Sequence, residues 1–242
     1  MAELFAKLPL PNDVPSFGVQ GATSVAFTEG PACAADGSVY FSDIEGNRIL
    51  KLLPDGTREV FRDPSHRTNG NTFDQDGNLY HCEGAEFGPG GGRRVTRTDL
   101  KTGEYEVITQ EFGSSRYNSP NDICVDGRGR VYFTDPRYGD RADLEMLDPD
   151  GIPIEAVYRI DKDQTVSRII SQPDIQRPNG IAVTQDSGRL YLVDSCPVNG
   201  GNRKIWSFDL DDDGNPHNQQ VVVDFAPGRG GDGMRLDMEG NL

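Results

Sequence analysis

At 242 residues the chain is long enough for one large all-β domain with a substantial core, so length alone does not call for a second domain. Its 24 basic and 39 acidic residues leave a net charge of −15, which argues against nucleic acid or an anionic membrane as the main partner. No apolar run approaches the ~20 residues of a membrane helix and no signal peptide is evident, so the expectation is a soluble, cytoplasmic protein, monomeric or weakly homo-oligomeric.

Along the chain one pattern keeps returning: a polar turn followed by an apolar strand. It is met first at Asp36-Gly37-Ser38-Val39-Tyr40-Phe41, with a second strand signal over 48–52. It returns at Asp76-Gly77-Asn78-Leu79-Tyr80, with a strand over 94–98, and at Gly127-Arg128-Gly129-Arg130-Val131-Tyr132-Phe133, with strands over 157–160 and 166–170. A fourth copy, Ser187-Gly188-Arg189-Leu190-Tyr191, is followed by strands over 204–208 and 221–225, and Glu239-Gly240-Asn241-Leu242 opens a fifth. Three or four short antiparallel strands per unit make one propeller blade, and no segment has the period of an amphipathic helix. The intervals between Tyr40, Tyr80, Tyr132 and Tyr191 are 40, 52 and 59 residues, around the ~40–50 of known propeller repeats.

Six to nine residues ahead of the first Gly of each unit stands an amide or a carboxylate: Glu29, Asn69, Asn121, Asn179 and Asp232. Four are followed by Gly and one by Asp122. Side chains at equivalent places in successive blades converge on the axis of a closed ring, which points to a central site for a hard cation. Four complete copies and the start of a fifth do not close a ring. A single propeller domain over 1–242, incomplete at its C-terminal end, is the expectation.

Glu29-Gly30-Pro31, Ser119-Pro120-Asn121-Asp122-Ile123, Phe133-Thr134-Asp135-Pro136-Arg137-Tyr138-Gly139, Arg177-Pro178-Asn179-Gly180-Ile181 and Gly231-Asp232-Gly233-Met234 occur in this order, with Arg93-Arg94-Val95-Thr96-Arg97 between. In these motifs the chain resembles the SMP-30/gluconolactonase/LRE family from about Thr23 onward. The resemblance implies an all-β, six-bladed β-propeller, here truncated after about four blades plus the start of a fifth. It also implies an axial divalent metal held by Glu29, Asn121, Asn179 and Asp232, with Asn121 shared between metal and substrate. Ca²⁺ is the first expectation, with Mg²⁺, Mn²⁺ or Zn²⁺ as alternatives.

Two carboxylates and two amides form an all-oxygen set whose two negative charges match a dication. The expected chemistry is ring-opening hydrolysis of a sugar aldonolactone such as gluconolactone, with Asp232 as catalytic base and Asn121, Asn69, Asn118 and Tyr138 facing the substrate. Two other readings stay open: a phosphotriesterase-like metal-dependent hydrolase and a non-catalytic calcium-binding propeller. Each motif residue alone is more often a turn former or a strand-end cap, Asp135 included, and only the repeated register raises the functional reading.

Cys33, Cys82, Cys124 and Cys196 form no C-x-x-C pair and read as buried thiols. Asp209-Leu210-Asp211-Asp212-Asp213-Gly214 resembles half an EF-hand loop but has Gln220 at the twelfth position, so a hairpin turn is expected. His66, His81 and His217 share no spacing and have no evident nucleophile beside them.

Overall fold

The computed structural model describes residues 27–237 and 239–242. The N-terminal stretch on which the signal-peptide expectation rests and the start of the family likeness at Thr23 lie outside them. Every regular element among the described residues is a strand, as the alternating apolar pattern requires, and no helix is long and apolar enough to cross a membrane.

The strands form four consecutive four-stranded antiparallel meanders. The first holds β1 (Thr28–Cys33), β2 (Val39–Asp43), β3 (Arg48–Leu52) and β4 (Arg58–Arg62). The second holds β5 (Thr68–Phe73), β6 (Asn78–Glu83), β7 (Arg94–Asp99) and β8 (Tyr105–Thr109). After a two-residue pair, β9 (Glu111–Phe112) and β10 (Ser115–Arg116), the third holds β11 (Ile123–Val125), β12 (Val131–Asp135), β13 (Ala156–Ile160) and β14 (Val166–Ile170). The fourth holds β15 (Pro178–Val183), β16 (Arg189–Ser195), β17 (Arg203–Leu210) and β18 (Pro216–Asp224). The first strands of successive sheets, β1, β5, β11 and β15, lie side by side. This is the blade arrangement of a propeller, with the innermost strands around an axis.

The turn opening each unit is one device used repeatedly. Gly37, Gly77, Gly129 and Gly240 have φ of 84°, 85°, 80° and 82°, and each donates its N–H back to the carbonyl three residues earlier. Left-handed backbone is the reason for glycine there. In the fourth unit the left-handed residue is Ser187 (φ 61°), not Gly188, so the turn sits one residue earlier than the Gly suggests.

Alternate side chains fill the layers between blades. Tyr117, Phe133 and Tyr158 pack with ring centroids 5.2 Å apart between the second and third sheets. Ile181, Leu190, Leu192 and Phe208 join Tyr132 and Val157 between the third and fourth. Burial at this scale, about 25 cal/mol per Å² of apolar surface removed from water, dominates the stability of such a fold. The segment Asp209 to Gly214 is the β17–β18 hairpin turn, in which the Asp211 carboxylate accepts the N–H of Asn215. Of the cysteines, Cys82 and Cys196 are buried and Cys124 half-buried, while Cys33 is exposed at the end of β1, against expectation. An end residue of an inner strand has no second layer to cover it.

Candidate active site

Three of the axial residues stand at a break in their strand. The β1–β2 register shifts between Glu29 and Ala32, the β5–β6 register between Thr68 and Asn71, and the β15–β16 register between Pro178 and Ile181. A bulge releases its residue from the ladder and re-aims the side chain, here at Asn69 and Asn179, while Glu29 stays opposite Ser42 at the edge of its bulge. In the third sheet Asn121 stands just ahead of β11, its N–H donated to the Thr134 carbonyl.

The glycines after the axial residues are spacers between blades. A Cβ on Gly30 would collide with the Asn69 carbonyl, one on Gly70 with that of Asn121, and one on Gly180 with that of Asp232. Gly70 N–H donates to the Asn121 carbonyl at 2.7 Å and Gly180 N–H to that of Asp232 at 3.2 Å. The axial backbones thus lean on one another in chain order. Asp122 takes the glycine position of the third blade and spans the same gap with its side chain, accepting the Ile181 N–H at 3.0 Å and facing Arg235 at 3.2 Å.

Glu29, Asn69, Asn121 and Asn179 line both an upper cavity of about 570 Å³ and a lower one of about 310 Å³, so they form the waist between the two. Asp232 and Tyr138 line the upper cavity. The Asn179 amide donates to the Tyr138 hydroxyl at 3.1 Å, which donates onward to the Ser195 carbonyl at 3.3 Å. Asn121 and Asn179 are buried. Burial pushes Glu29 up to about 7, with the Asp232 and Asp122 carboxylates adding to the rise. A partly buried carboxylate repelled by two others in a ring of amide oxygens is an environment that a hard cation relieves, so the donor set fits the divalent metal implied by the motifs. Among the described residues no three His, Cys, Asp or Glu side chains group as a metal site by themselves.

Carboxylates at the ends of the second strands anchor the approach to the axis. Asp194 accepts the N–H groups of Gln176 and Arg177 at 3.0 and 2.8 Å. Asp135 accepts those of Asn118 and Ser119, both at 2.8 Å, and Asp43 that of Phe27 at 3.4 Å. In each case an axial donor follows two residues after the last anchored N–H. Asp135 is therefore a structural carboxylate with no exposure.

Asn118, expected to face the substrate, lines neither cavity. It has no exposure, and its amide donates to the Asp135 and Ile154 carbonyls at 3.1 and 2.7 Å. Its place three residues ahead of Asn121 puts it in the anchoring segment, not at the waist. Arg116 is outside the cavity too, its guanidinium on the Gly92 carbonyl. The sequence reading missed Asp122, Glu86, Ser195 and Arg203, the last three of which line the upper cavity. Only Asp122 carried a signal, as the sole non-glycine after an axial residue.

Residues 27–242 match the family described as the SMP-30/gluconolactonase/LRE-like region. The chain belongs to this family. Among its relatives, a gluconolactonase of Zymomonas mobilis is 29% identical over 91% of the chain. The chain spans 65% of the length of that protein. A solved gluconolactonase from Xanthomonas campestris is similar at 30% identity, with a TM-score of 0.72 over 89% of this chain and 68% of the other. The calcium-binding protein regucalcin from Agrobacterium tumefaciens shares the fold at 20% identity and a TM-score of 0.67, over 89% of this chain and 66% of its own. These family relatives place the four sheets in the propeller class.

Proposed function

We propose that the chain carries the active site of a lactone hydrolase that opens sugar aldonolactones such as gluconolactone. One observation carries the reading: side chains from successive blades form an oxygen-lined waist at the floor of a cavity of about 570 Å³, a size suited to a small ligand. Likeness to gluconolactonases supports the substrate class.

Glu29, Asn121, Asn179 and Asp232 would hold the divalent cation, Ca²⁺ first, which when bound supplies Lewis-acid polarisation of the lactone carbonyl. Asp232, on the segment after β18 and exposed to the cavity, takes the proton from the water that adds to the carbonyl carbon. The ring C–O bond then breaks, the ring oxygen takes that proton back from Asp232 as it leaves as a hydroxyl, and the product is a hydroxy acid. Asn121 and Asn69 bind the hydroxyls of the sugar, and Tyr138 fixes the Asn179 amide through its hydrogen bond. No histidine lines this cavity among the described residues, and His81 is sealed against Asn71 and Thr98 in the second sheet. That favours a lactone over a phosphotriester, whose hydrolases in related propellers often keep a histidine beside the metal.

Proton release from glucono-1,5-lactone, measured above the spontaneous rate on EDTA-stripped protein before and after adding Ca²⁺, Mg²⁺, Mn²⁺ or Zn²⁺, tests the reading. Activity restored by metal and lost in Asp232→Ala is expected. Tight Ca²⁺ binding with no turnover of any lactone would replace it with a binding role.

A further inference from the structure

One wall of the upper cavity has a charge that the reaction at the waist does not use. Arg203, at the start of β17, lines the cavity half-buried, and its guanidinium has no hydrogen bond or ion pair among the described residues. Other arginines around this end of the molecule are paired: Arg177 and Arg141 with Glu155 at 3.0 and 3.1 Å, and Arg137 and Arg93 with Asp143 at 2.6 and 3.2 Å. In a chain with 39 acidic and 24 basic residues, a partly desolvated guanidinium without a carboxylate is a cost with no structural return.

Its position relates it to the waist. Ser195 and Arg203 are opposite one another across β16 and β17, so their side chains share a face about 5 Å apart. The Ser195 carbonyl is the acceptor that ends the chain from Asn179 through Tyr138. Two hydrogen bonds and one cross-strand step therefore separate the axial amide from Arg203. The segment 227–231 closes over this wall: a Cβ on Gly230 would lie 2.6 Å from the Ser195 hydroxyl and 3.5 Å from the Arg203 Cβ. Its neighbour Arg229 also lines the cavity without an ion pair among the described residues.

We infer that Arg203, assisted by Arg229, is a specificity-determining residue that binds a second anionic group at the far end of the lactone. This inference rests on the lactonase reading and narrows it to lactones carrying a carboxylate or a phosphate ester. The guanidinium fork donates paired, charge-assisted N–H···O bonds to either group, which the single neutral oxygen of a sugar terminus cannot match.

The test compares kcat/KM of the metal-loaded protein for glucono-1,5-lactone, a glucarolactone and 6-phosphogluconolactone. At least about a tenfold preference for one of the anionic lactones is expected, and which one is preferred distinguishes carboxylate from phosphate. Arg203→Met should remove that preference mainly through KM, and Arg203→Lys should keep part of it. An equal preference for the neutral lactone, or one unchanged in Arg203→Met, would overturn the inference. If no lactone is turned over, the failure belongs to the lactonase reading, and calorimetric titration with glucarate and 6-phosphogluconate then decides. Binding lost in Arg203→Met sustains the anion site, and no binding of either acid ends it.

Discussion

In the first, third and fourth sheets the carboxylate near the end of the second strand turns back to the backbone N–H groups that lead to an axial donor. In the second sheet Glu83 occupies that place, opposite Thr68 as Asp43 is opposite Thr28, and turns away from it. Its longer side chain reaches Arg94 at 2.6 Å, the Tyr105 hydroxyl at 2.6 Å, Thr96 at 3.1 Å and Arg62 at 3.5 Å. The segment ahead of Asn69 is instead held from the neighbouring blade, where the Asn47 amide oxygen accepts the Arg67 N–H at 2.8 Å. One methylene thus separates a carboxylate that fixes its own blade's axial residue from one that ties outer strands together. Asn69, the axial donor outside the proposed metal set, is the one whose approach segment is anchored from another blade.

The largest effect that sharpens this contrast is in pH dependence, because the two sheets bury different titratable groups. Burial pushes Asp135 up to about 7 from an ordinary 3.8. Below 3.8 folded and unfolded chains both carry the proton. As pH rises from about 4 to about 7 only the unfolded chain releases it, so stability from this group falls, by on the order of 4 kcal/mol over the whole window. In the second sheet burial, with Arg62 nearby, holds His81 well below its ordinary 6.5. The unfolded chain alone takes up that proton, and stability falls as pH drops below about 6.5. The two slopes oppose one another between about pH 4 and 6.5, so urea midpoints measured from pH 4 to 8 should fall less with rising pH in Asp135→Asn, and more in His81→Gln, than in the unsubstituted chain. The same profile in both variants would mean that the two blades do not differ in this way.

Next in size is Asp194→Ala, which leaves the N–H groups of Gln176 and Arg177 without an acceptor, and removes the bonds from Asn202 at 2.9 Å and Trp206 at 3.3 Å. About 3 kcal/mol of stability should be lost in urea unfolding, with calcium affinity falling as well because Asn179 loses its anchored approach. Unchanged calcium affinity would reduce Asp194 to a purely structural role. Smaller again is Asn47→Ala, at about 1–2 kcal/mol for the bonds its amide oxygen accepts from the Arg67 N–H and the Ser65 hydroxyl, together with its left-handed backbone at φ 55°. Since its tether leads to Asn69, this variant should raise KM for a lactone while calcium affinity holds. Loss of metal first would erase the distinction between the second blade and the others.

The blades and the residues of the waist were legible in the sequence to different depths. The strand over 166–170 was expected with the bounds it has, whereas β18 begins at Pro216, earlier than the apolar run over 221–225 suggests. That edge strand is exposed almost throughout, so its ladder follows the backbone of β17 and has no apolar alternation to mark its start. Glu29, Asn69, Asn121 and Asn179 could be picked out together only because one register recurs; taken singly, each is an ordinary turn residue. Asn118 and Tyr138 looked alike as polar residues in loops near the motifs. Tyr138 faces the cavity and Asn118 a neighbouring backbone, a distinction made by contacts with residues far along the chain.

The sequence by itself determined the period of strands and turns and the family. Side-chain alternation and the left-handed backbone of Gly37, Gly77 and Gly129 are local properties, set by a few residues at a time. Only the tertiary structure decided which carboxylates meet at the axis and which disappear into a blade. Asp122 and Asp135 are both aspartates of third-blade motifs, yet one braces the waist against Ile181 and Arg235 and the other is sealed on two backbone N–H groups. The difference lies in where one blade presses on the next. Those are contacts between residues tens of positions apart, which no local pattern encodes.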